Sequence, residues 1–330
     1  MNRREFLAVM TATAATLGSA RVGSAQQSQK LKFGYILAPE SQLGAGATVF
    51  AAEIAKRTAG RFSIEQFPNS ALGGEVEMLK AMQTGTVDMA FITGAPLPTV
   101  VPEVGAFNIP FLFRDAAHAH AVLDGPIGAK ALASFKAKDL VGLAWGENGM
   151  RHITNSKRPI VTADDLKGLK LRLPQSDVMM AAFKAMGADV SALAFPQLYT
   201  ALQTGQFDGQ ENPIATIQAS KFFQVQKYLT LSGHVYDPAV VFISPDVFGD
   251  LSDADKAAFV AAARMAGEAS RKFAGEAQAK GAAALESSGM QVTKEIKRDS
   301  FVSAMASAIP GFEAKFGADL ISQIRNVAST

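Results

Sequence analysis

Arg172 is the residue of this sequence whose surroundings point most directly to binding chemistry. It stands in the run Leu-Lys-Leu-Arg-Leu-Pro, where strand alternation separates the three leucines from Lys170 and Arg172. Pro174 marks the end of this strand, near the edge where parallel strands open onto a ligand crevice. A guanidinium matches a carboxylate through two parallel hydrogen bonds. From these residues alone, a surface arginine paired with a nearby acid is the favoured interpretation, and a carboxylate site is the alternative.

Signatures of catalysis are missing from the sequence. It contains no G-x-S-x-G elbow, no H-E-x-x-H, no Walker A loop and no cysteine. Gly44 and Gly46 lie between a strand and a helix as in a dinucleotide loop, but Val49 occupies the third glycine position. The four histidines lack the spacing of a ligand pair on one helix face. We therefore expect no metal, no cofactor and no enzyme activity.

Composition and charge narrow the class of protein further. Of the 330 residues, 48% are hydrophobic and 19% are charged, which excludes disordered, collagen-like and disulfide-stapled chains. The length predicts two domains. The first 25 residues hold three arginines and one glutamate, and without them the chain has 29 basic and 29 acidic residues. A neutral body argues against binding to nucleic acid or to an anionic membrane surface.

The N-terminus has the pattern of an export signal. Arg3 and Arg4 precede a mildly apolar run over residues 7–20, and small residues lead to a cleavage site between Ala25 and Gln26. The paired arginines are typical of the twin-arginine type. No later run approaches 18 apolar residues. Residues 1–25 are therefore predicted to be removed, leaving a soluble periplasmic protein.

The body of the chain alternates strand and helix patterns, which predicts an α/β fold. Strands are expected at 31–38, 61–67 and 86–92, with helices at 41–59 and 75–83 between them. This order predicts a mainly parallel sheet flanked by helices.

A second series of elements begins near residue 150, with strands at 151–155, 169–173 and 228–232. Thr162 and Ser252 each begin a capping-box pattern. The pattern from residue 253 to about 285 predicts a helix long enough to cross from one lobe to the other. Its glycines lower the helix propensity and allow a bend.

Ordered motifs over most of the chain resemble those of the TRAP-transporter solute-binding proteins, the DctP-type family. The similarity runs from about Leu31 to the C-terminus and rests on the segments 75–90, 149–156, 165–174 and 198–213. The resemblance implies a two-lobe periplasmic-binding-protein fold with mixed, mainly parallel sheets and a long helix spanning both lobes. It places lobe I at 26–148 plus 239–278, and lobe II at 149–238 plus 279–330.

The resemblance also assigns roles to individual residues. Arg172 corresponds to the family's carboxylate-binding arginine. Arg151 corresponds to a second arginine near the carboxylate, with a hinge-proximal salt bridge as an equally weighted alternative. Asn212, placed before Pro213, has the pattern of a helix N-cap, and the family motif adds a hydrogen bond to the ligand. Phe195 resembles an aromatic residue that packs on the ligand, or belongs to the core.

Three further positions complete the predicted site. Thr93 stands where sialic-acid-binding members carry an acid, which favours a smaller or less polar ligand. His234 matches a family histidine near the cleft, either as a ligand contact or as a structural hydrogen-bonding group. Trp145, the single tryptophan, is a cleft wall or a core residue.

The sequence therefore predicts a monomeric periplasmic receptor for a small organic acid. It would deliver this carboxylate to the membrane permease subunits of a TRAP transporter driven by an ion gradient. Two alternatives stay open: a periplasmic enzyme acting on a small carboxylate, and a receptor that feeds a sensor kinase. The identity of the acid does not follow from the sequence.

Overall fold

A computed structural model of the protein describes residues 28–329. The predicted export signal at residues 1–25 lies outside the described residues. The fold is α/β, with one mixed sheet flanked by helices, as predicted. Within the described range, none of the helices combines the length and apolarity needed to cross a membrane.

The sheet consists of strands that are parallel at both ends and antiparallel in the middle. Its order is β2-β1-β3-β8-β4-β7-β5-β6, with β9 attached to β8. Strand β1 pairs in parallel with β2 and β3, and β5 pairs in parallel with β6 and β7, while β8 and β4 are antiparallel to each other and to their outer neighbours. The strands are β1 (Gln29–Tyr35), β2 (Phe62–Phe67), β3 (Met89–Thr93), β4 (Val141–Asn155), β5 (Lys170–Leu173), β6 (Asp189–Ala192), β7 (Gly209–Pro213), β8 (Tyr228–Ile243) and β9 (Gln291–Thr293).

The α-helices cover the sheet, joined by short 3₁₀ turns. They are α1 (Gln42–Arg57), α2 (Glu75–Gln83), α3 (Ala116–Asp124), α4 (Pro126–Ser134), α5 (Asp177–Ala185), α6 (Leu198–Gln203), α7 (Ile214–Ala219), α8 (Pro245–Asp250), α9 (Asp253–Ser287), α10 (Arg298–Ala304), α11 (Ile309–Phe316) and α12 (Ala318–Asn326). The expected helix at 75–83 has the predicted bounds. The capping box at Thr162 begins a 3₁₀ turn, Ala163–Leu166, and not an α-helix.

Strands β4 and β8 carry the chain between the two halves of the sheet. They have 15 and 16 residues, whereas the sequence predicted only five residues of each. Strand β4 is bulged between Glu147 and Gly149, and Gly149 has a φ of 129°, a backbone conformation that favours glycine. The bulge lies midway along β4, where the strand passes from one parallel group toward the other.

Helix α9 is continuous over its 35 residues, about 50 Å at the usual rise per residue. Its N-cap is Ser252, whose hydroxyl accepts from the backbone N–H of Asp255, as the sequence predicted. Two of its glycines allow close packing: a Cβ at Gly267 would lie 2.2 Å from the carbonyl oxygen of Trp145, and one at Gly281 would lie 2.3 Å from Ile214. Gly267 therefore brings the helix onto β4, and Gly281 brings it onto α7.

The C-terminal helices return to the first half of the chain. The carbonyl of Ile324 lies 2.8 Å from Nε2 of His118, and Arg114 donates to the carbonyl of Arg325 at 2.7 Å. Ile321 and Ile324 belong to the core that β1, β3 and α1 form. The predicted lobes, 26–148 plus 239–278 and 149–238 plus 279–330, stay a prediction, and these contacts favour moving the last two helices to lobe I.

The packing of α9 yields a stability prediction with an internal control. We expect Gly267→Ala to destabilise the protein by about 1–3 kcal/mol, because the added methyl group overlaps backbone atoms of β4. Gly275→Ala lies on the same helix with nothing within 4 Å of the new methyl group, so helix propensity predicts an unchanged or higher melting temperature. Thermal unfolding of both variants is the measurement, and equal melting temperatures would contradict this account of α9.

Candidate functional site

A small, partly enclosed cavity of about 10 Å³ lies between the two halves of the chain. The first half contributes the segment after β1, the first residue of α2 and the last residue of β3. The second half contributes the carboxyl ends of β5 and β7, where the ligands of such sheets bind. The lining residues are Ile36, Leu37, Glu75, Thr93, Asn148, Arg151, Arg172, Pro174, Phe195, Asn212 and Thr216. Five of the seven predicted site residues are therefore brought together.

Arg172 is buried and lacks a counter-ion in contact. It lies on β5, directly before the strand ends at Leu173, and only 3% of it is exposed. Its Nε donates to the carbonyl of Leu193 at 2.8 Å, and its terminal nitrogens donate to none of the residues in the described range. Burial lowers the pKa of Arg172 to about 10, so the side chain is still charged at neutral pH. The interpretation as a surface arginine paired with an acid is wrong.

Arg151 is equally buried but is held in a network of acids. Its Nε donates to Oε2 of Glu211 at 2.5 Å, one terminal nitrogen donates to Asp237 at 2.6 Å, and the other donates to Oε1 and the carbonyl of Glu211. Four of its five N–H groups are thus used inside the protein. Burial opposes the charge of Glu211, but Arg151 outweighs burial and holds the pKa of Glu211 below its usual value. The salt-bridge alternative therefore accounts for most contacts of Arg151. One N–H group of its guanidinium has no acceptor among the described residues.

Asn148 connects this network to the cavity. Its side-chain nitrogen donates to Asp237 at 2.7 Å, and its side-chain oxygen accepts from Gln42 at 2.6 Å. Gln42 also donates to the hydroxyl of Thr216. These contacts join α1, β4, β8 and α7, so groups far apart in sequence fix one wall of the cavity.

His234 lies behind Glu211, outside the cavity lining. Its Nε2 is 3.1 Å from Oε2 of Glu211 and its Nδ1 is 2.7 Å from the hydroxyl of Ser232. Burial lowers the pKa of His234. In this position the ring is placed to support Glu211, which accords with the structural alternative.

Asn212 is a strand residue and not a helix cap. Asn212 lies in β7, where it pairs with His152 of β4. The N-cap residue of α7 is Pro213. The prediction of an N-cap at Asn212 is therefore wrong, because the strand continues to the proline. Its side-chain nitrogen donates to Gln210, while its side-chain oxygen accepts from none of the residues in the described part of the chain. Asn212 can therefore offer that oxygen to a molecule in the cavity.

The two predicted aromatic residues lie in different places. Phe195 lines the cavity and packs against core residues of both halves. Trp145 lies outside the lining, with its Nε1 donating to the carbonyl of Gly128 at 3.0 Å and its ring edge-on to Phe107. Trp145 is 7% exposed and belongs to the first core.

Glu75 is the charged cavity residue that the sequence analysis did not select. It is the first residue of α2, and its Oε1 accepts from the backbone N–H of Thr93 at 2.7 Å. Burial raises the pKa of Glu75 to about 7, although Thr93 and Arg172 favour the ionised form. Acidic residues are common in the first turn of a helix, because they interact favourably with the helix dipole. The sequence therefore gives no reason to distinguish Glu75 from an ordinary first-turn acid.

The polar part of the lining consists of two guanidinium groups, two amides, two hydroxyls and one carboxyl group. Across residues 28–329, no group of three histidine, aspartate or glutamate side chains is arranged to hold a metal ion.

Comparison with known proteins identifies the family. The family described as bacterial extracellular solute-binding protein, family 7 (DctP), matches residues 33–315, and the chain belongs to this family. The prediction made from the sequence motifs is confirmed. This is a family of transport substrate-binding proteins and not a family of enzymes.

Related proteins agree in both sequence and fold. The 2,3-diketo-L-gulonate-binding periplasmic protein YiaO of Escherichia coli is 36% identical over 92% of this chain and 94% of its own length. A TRAP periplasmic solute-binding protein of Polaromonas, solved with D-erythronate, is 48% identical with a TM-score of 0.90, covering 92% of this chain and all of the other. A TRAP solute-binding protein of Bordetella bronchiseptica, with ligand density assigned to pantoate, is 43% identical with a TM-score of 0.89, covering 91% and 99%.

The different pairing of the two arginines predicts different effects on stability. We expect Arg151→Met to lower the free energy of unfolding by about 3–5 kcal/mol, because it leaves Glu211 and Asp237 buried without their cation. Arg172→Met removes a buried charge that has no ion pair, so the unliganded variant should stay close to the wild type.

Denaturant unfolding of the unliganded proteins is the measurement. Arg57→Met serves as the control, because Arg57 forms an exposed ion pair with Glu53 on α1 and should contribute less than about 1 kcal/mol. A loss in Arg172→Met as large as that in Arg151→Met would contradict the distinction between the two arginines.

Proposed function

We propose that this protein is a receptor for a small organic acid, which it binds in the cavity between its lobes and delivers to a TRAP-type permease. The observation that carries the proposal is Arg172, a charged guanidinium that is buried, faces the cavity lining and has no acid in contact. An unpaired buried charge is unfavourable. A ligand carboxylate on its two terminal nitrogens would supply the missing partner.

Arg151 supports this assignment because most of its N–H groups already donate to acceptors within the protein. Glu211 and Asp237 already surround Arg151, so the positive charge left without a partner in the cavity lining is that of Arg172. The similar proteins of Polaromonas and Bordetella carry D-erythronate and density assigned to pantoate, both of which are monocarboxylates. Family membership and cavity charge therefore favour the same ligand class.

The composition of the cavity lining supports a closing mechanism. Ile36, Leu37 and Thr93 come from the first half of the chain, and Arg172, Phe195 and Asn212 come from the second. A ligand held between the halves favours the closed state only by as much as it prefers that state over the open one. The closed receptor would then be the form that the permease subunits recognise.

Location and assembly follow from the same role. We propose export through the signal at residues 1–25, a mature periplasmic chain starting near Gln26, and a monomer that acts without catalysis. N-terminal mass spectrometry of the exported protein tests the cleavage site. Turnover of a bound acid would contradict the receptor role.

Substitution of Arg172 tests the proposal directly. Arg172→Ala should weaken carboxylate binding by about 2–5 kcal/mol, roughly 30-fold to several thousandfold, because the ligand's charge is left buried without a partner. Arg172→Lys should also bind poorly, since an ammonium keeps the charge but loses the planar pair of donors.

Calorimetric titration with D-erythronate, pantoate, D-galactonate and succinate is the measurement. Arg57→Ala, on the exposed face of α1, is the control and should keep the affinity of the wild type. Near-wild-type affinity in both Arg172 variants would overturn the assignment of the carboxylate to Arg172.

A further inference from the structure

The buried charges around the cavity cannot stay balanced when a ligand anion is added. Arg151, Arg172, Glu211 and Asp237 are each at most 3% exposed, so two buried cations face two buried carboxylates. The ligand carboxylate of the proposed function would make three buried anions for two cations. A buried charge without compensation is unfavourable, and a titratable group in such surroundings changes its protonation instead. One of the two protein carboxylates is therefore expected to bind a proton when the ligand enters.

Glu211 is the less suitable of the two acids. Its Oε1 and Oε2 both accept from Arg151, and Nε2 of His234 lies 3.1 Å from Oε2. Donors on both oxygens favour the ionised form, and the pKa of Glu211 lies below its usual value because Arg151 outweighs burial. A proton on either oxygen of Glu211 would compete with a donor already in place.

Asp237 has one oxygen with donors and one without. Its Oδ2 accepts from Arg151 at 2.6 Å and from the side-chain nitrogen of Asn148 at 2.7 Å. Its Oδ1 is buried and accepts from none of the groups in the described part of the chain. This oxygen faces Gly94, where a Cβ would lie 2.9 Å from it, but the N–H of Gly94 donates to the carbonyl of Pro238 at 2.7 Å. Oδ1 can therefore bind a proton without displacing a contact found among residues 28–329.

The surroundings of Asp237 also favour its neutral form. Burial raises the pKa of Asp237 above its usual value, Arg151 and Asn148 oppose the shift, and the charge of Glu211 adds to it. A ligand carboxylate on Arg172 would bring a further negative charge to this region and raise the pKa again. The other charged or titratable groups around the cluster are Glu75 on α2, Glu147 on β4, His234 and Tyr236 on β8, and Arg271 on α9.

We propose that binding of the ligand anion is coupled to the uptake of one proton by Asp237, so that the carboxylate and the proton enter the closed site together. The proton lies on Oδ1, while Oδ2 keeps its contacts to Arg151 and Asn148. This inference rests on the proposed function, since it takes the ligand carboxylate to lie on Arg172.

The coupling fixes the direction of the pH dependence. The pKa of Asp237 is higher in the complex than in the free protein, so the complex binds more protons at any pH between the two values. Affinity is therefore greatest below the pKa of the free protein, and it falls by up to about tenfold per pH unit until the pH exceeds the pKa of the complex. A ligand carboxyl group with an ordinary pKa of about 3–4 is ionised above pH 5.5, so its own titration does not contribute.

The test is calorimetric titration of the mature protein in buffers of different ionisation enthalpy, which counts the protons taken up. The ligand is the tightest binder among D-erythronate, pantoate and D-galactonate. Between pH 5.5 and pH 8 we expect proton uptake and an affinity that falls by about threefold or more as the pH rises. Asp237→Asn should remove both effects and bind at pH 8 at least as tightly as the wild type, because its amide oxygen can still accept from Arg151 and Asn148. Asp250→Asn, exposed at the end of α8, is the matched control and should keep the uptake of the wild type.

A second measurement needs no substitution. Carbon-13 NMR of protein labelled at the aspartate side-chain carboxyl carbons should show one aspartate becoming protonated when the ligand is added at the pH of greatest uptake. Absence of that change overturns the assignment to Asp237, even where Asp237→Asn does not fold.

The outcomes separate this inference from the proposed function. Binding without proton uptake, or uptake that persists in Asp237→Asn, overturns the role of Asp237 while Arg172→Ala still weakens binding. Glu75 is another acid near the cluster whose pKa is raised by burial, to about 7. Loss of the uptake in Glu75→Gln but not in Asp237→Asn would place the proton on Glu75 and overturn the proposal. No binding of any of the three acids to wild type overturns both this inference and the proposed function.

Discussion

The buried network around Arg151 is the interaction on which the rest of the site depends. Arg151 on β4 binds Glu211 on β7 and Asp237 on β8, so one guanidinium joins three neighbouring strands of the sheet. Strands β4 and β8 are also the two that carry the chain between the halves. The ion pairs of the network therefore fix the strands at the place where the cavity forms.

The pairing of Arg151 with both acids gives Arg172 its significance. Because the acids nearest to it already bind Arg151, Arg172 keeps its charge in a buried position without a partner in contact. In our proposal the carboxylate of the ligand supplies the partner that Arg172 lacks among the described residues. The ion pairs of Arg151 thus account for stability, and we propose that the unpaired guanidinium of Arg172 accounts for recognition.

Much of this arrangement could be predicted from the sequence, and the failures have physical reasons. The bounds of α2, the cap of α9 at Ser252 and the strand that carries Arg172 follow from local patterns that the fold does not override. Strands β4 and β8 were predicted at only part of their length, because residues such as Glu147, Asn148 and Asp237 interrupt the apolar pattern. Asn148 and Asp237 are buried in the hydrogen-bonded network of Arg151, and Glu147 is buried against His120 and Tyr236. No local sequence pattern reveals these contacts.

The individual site residues show the same limit. The pair Asn212-Pro213 fits both a helix cap and the end of a strand. The sequence therefore predicted an N-cap at Asn212, where the structure has a strand residue. Glu75 resembled an ordinary first-turn acid, because only the sheet order places the start of α2 opposite β5. The family resemblance supplied Arg172, and the burial of Arg172 required the tertiary structure.

A crystal structure of the wild-type protein with a bound hydroxy acid tests the central claim most directly. We predict that the carboxylate oxygens lie about 3 Å from the two terminal nitrogens of Arg172, and that Arg151 keeps its bonds to Glu211 and Asp237. A carboxylate bound to Arg151 with either acid displaced, or bound to neither arginine, would contradict the account.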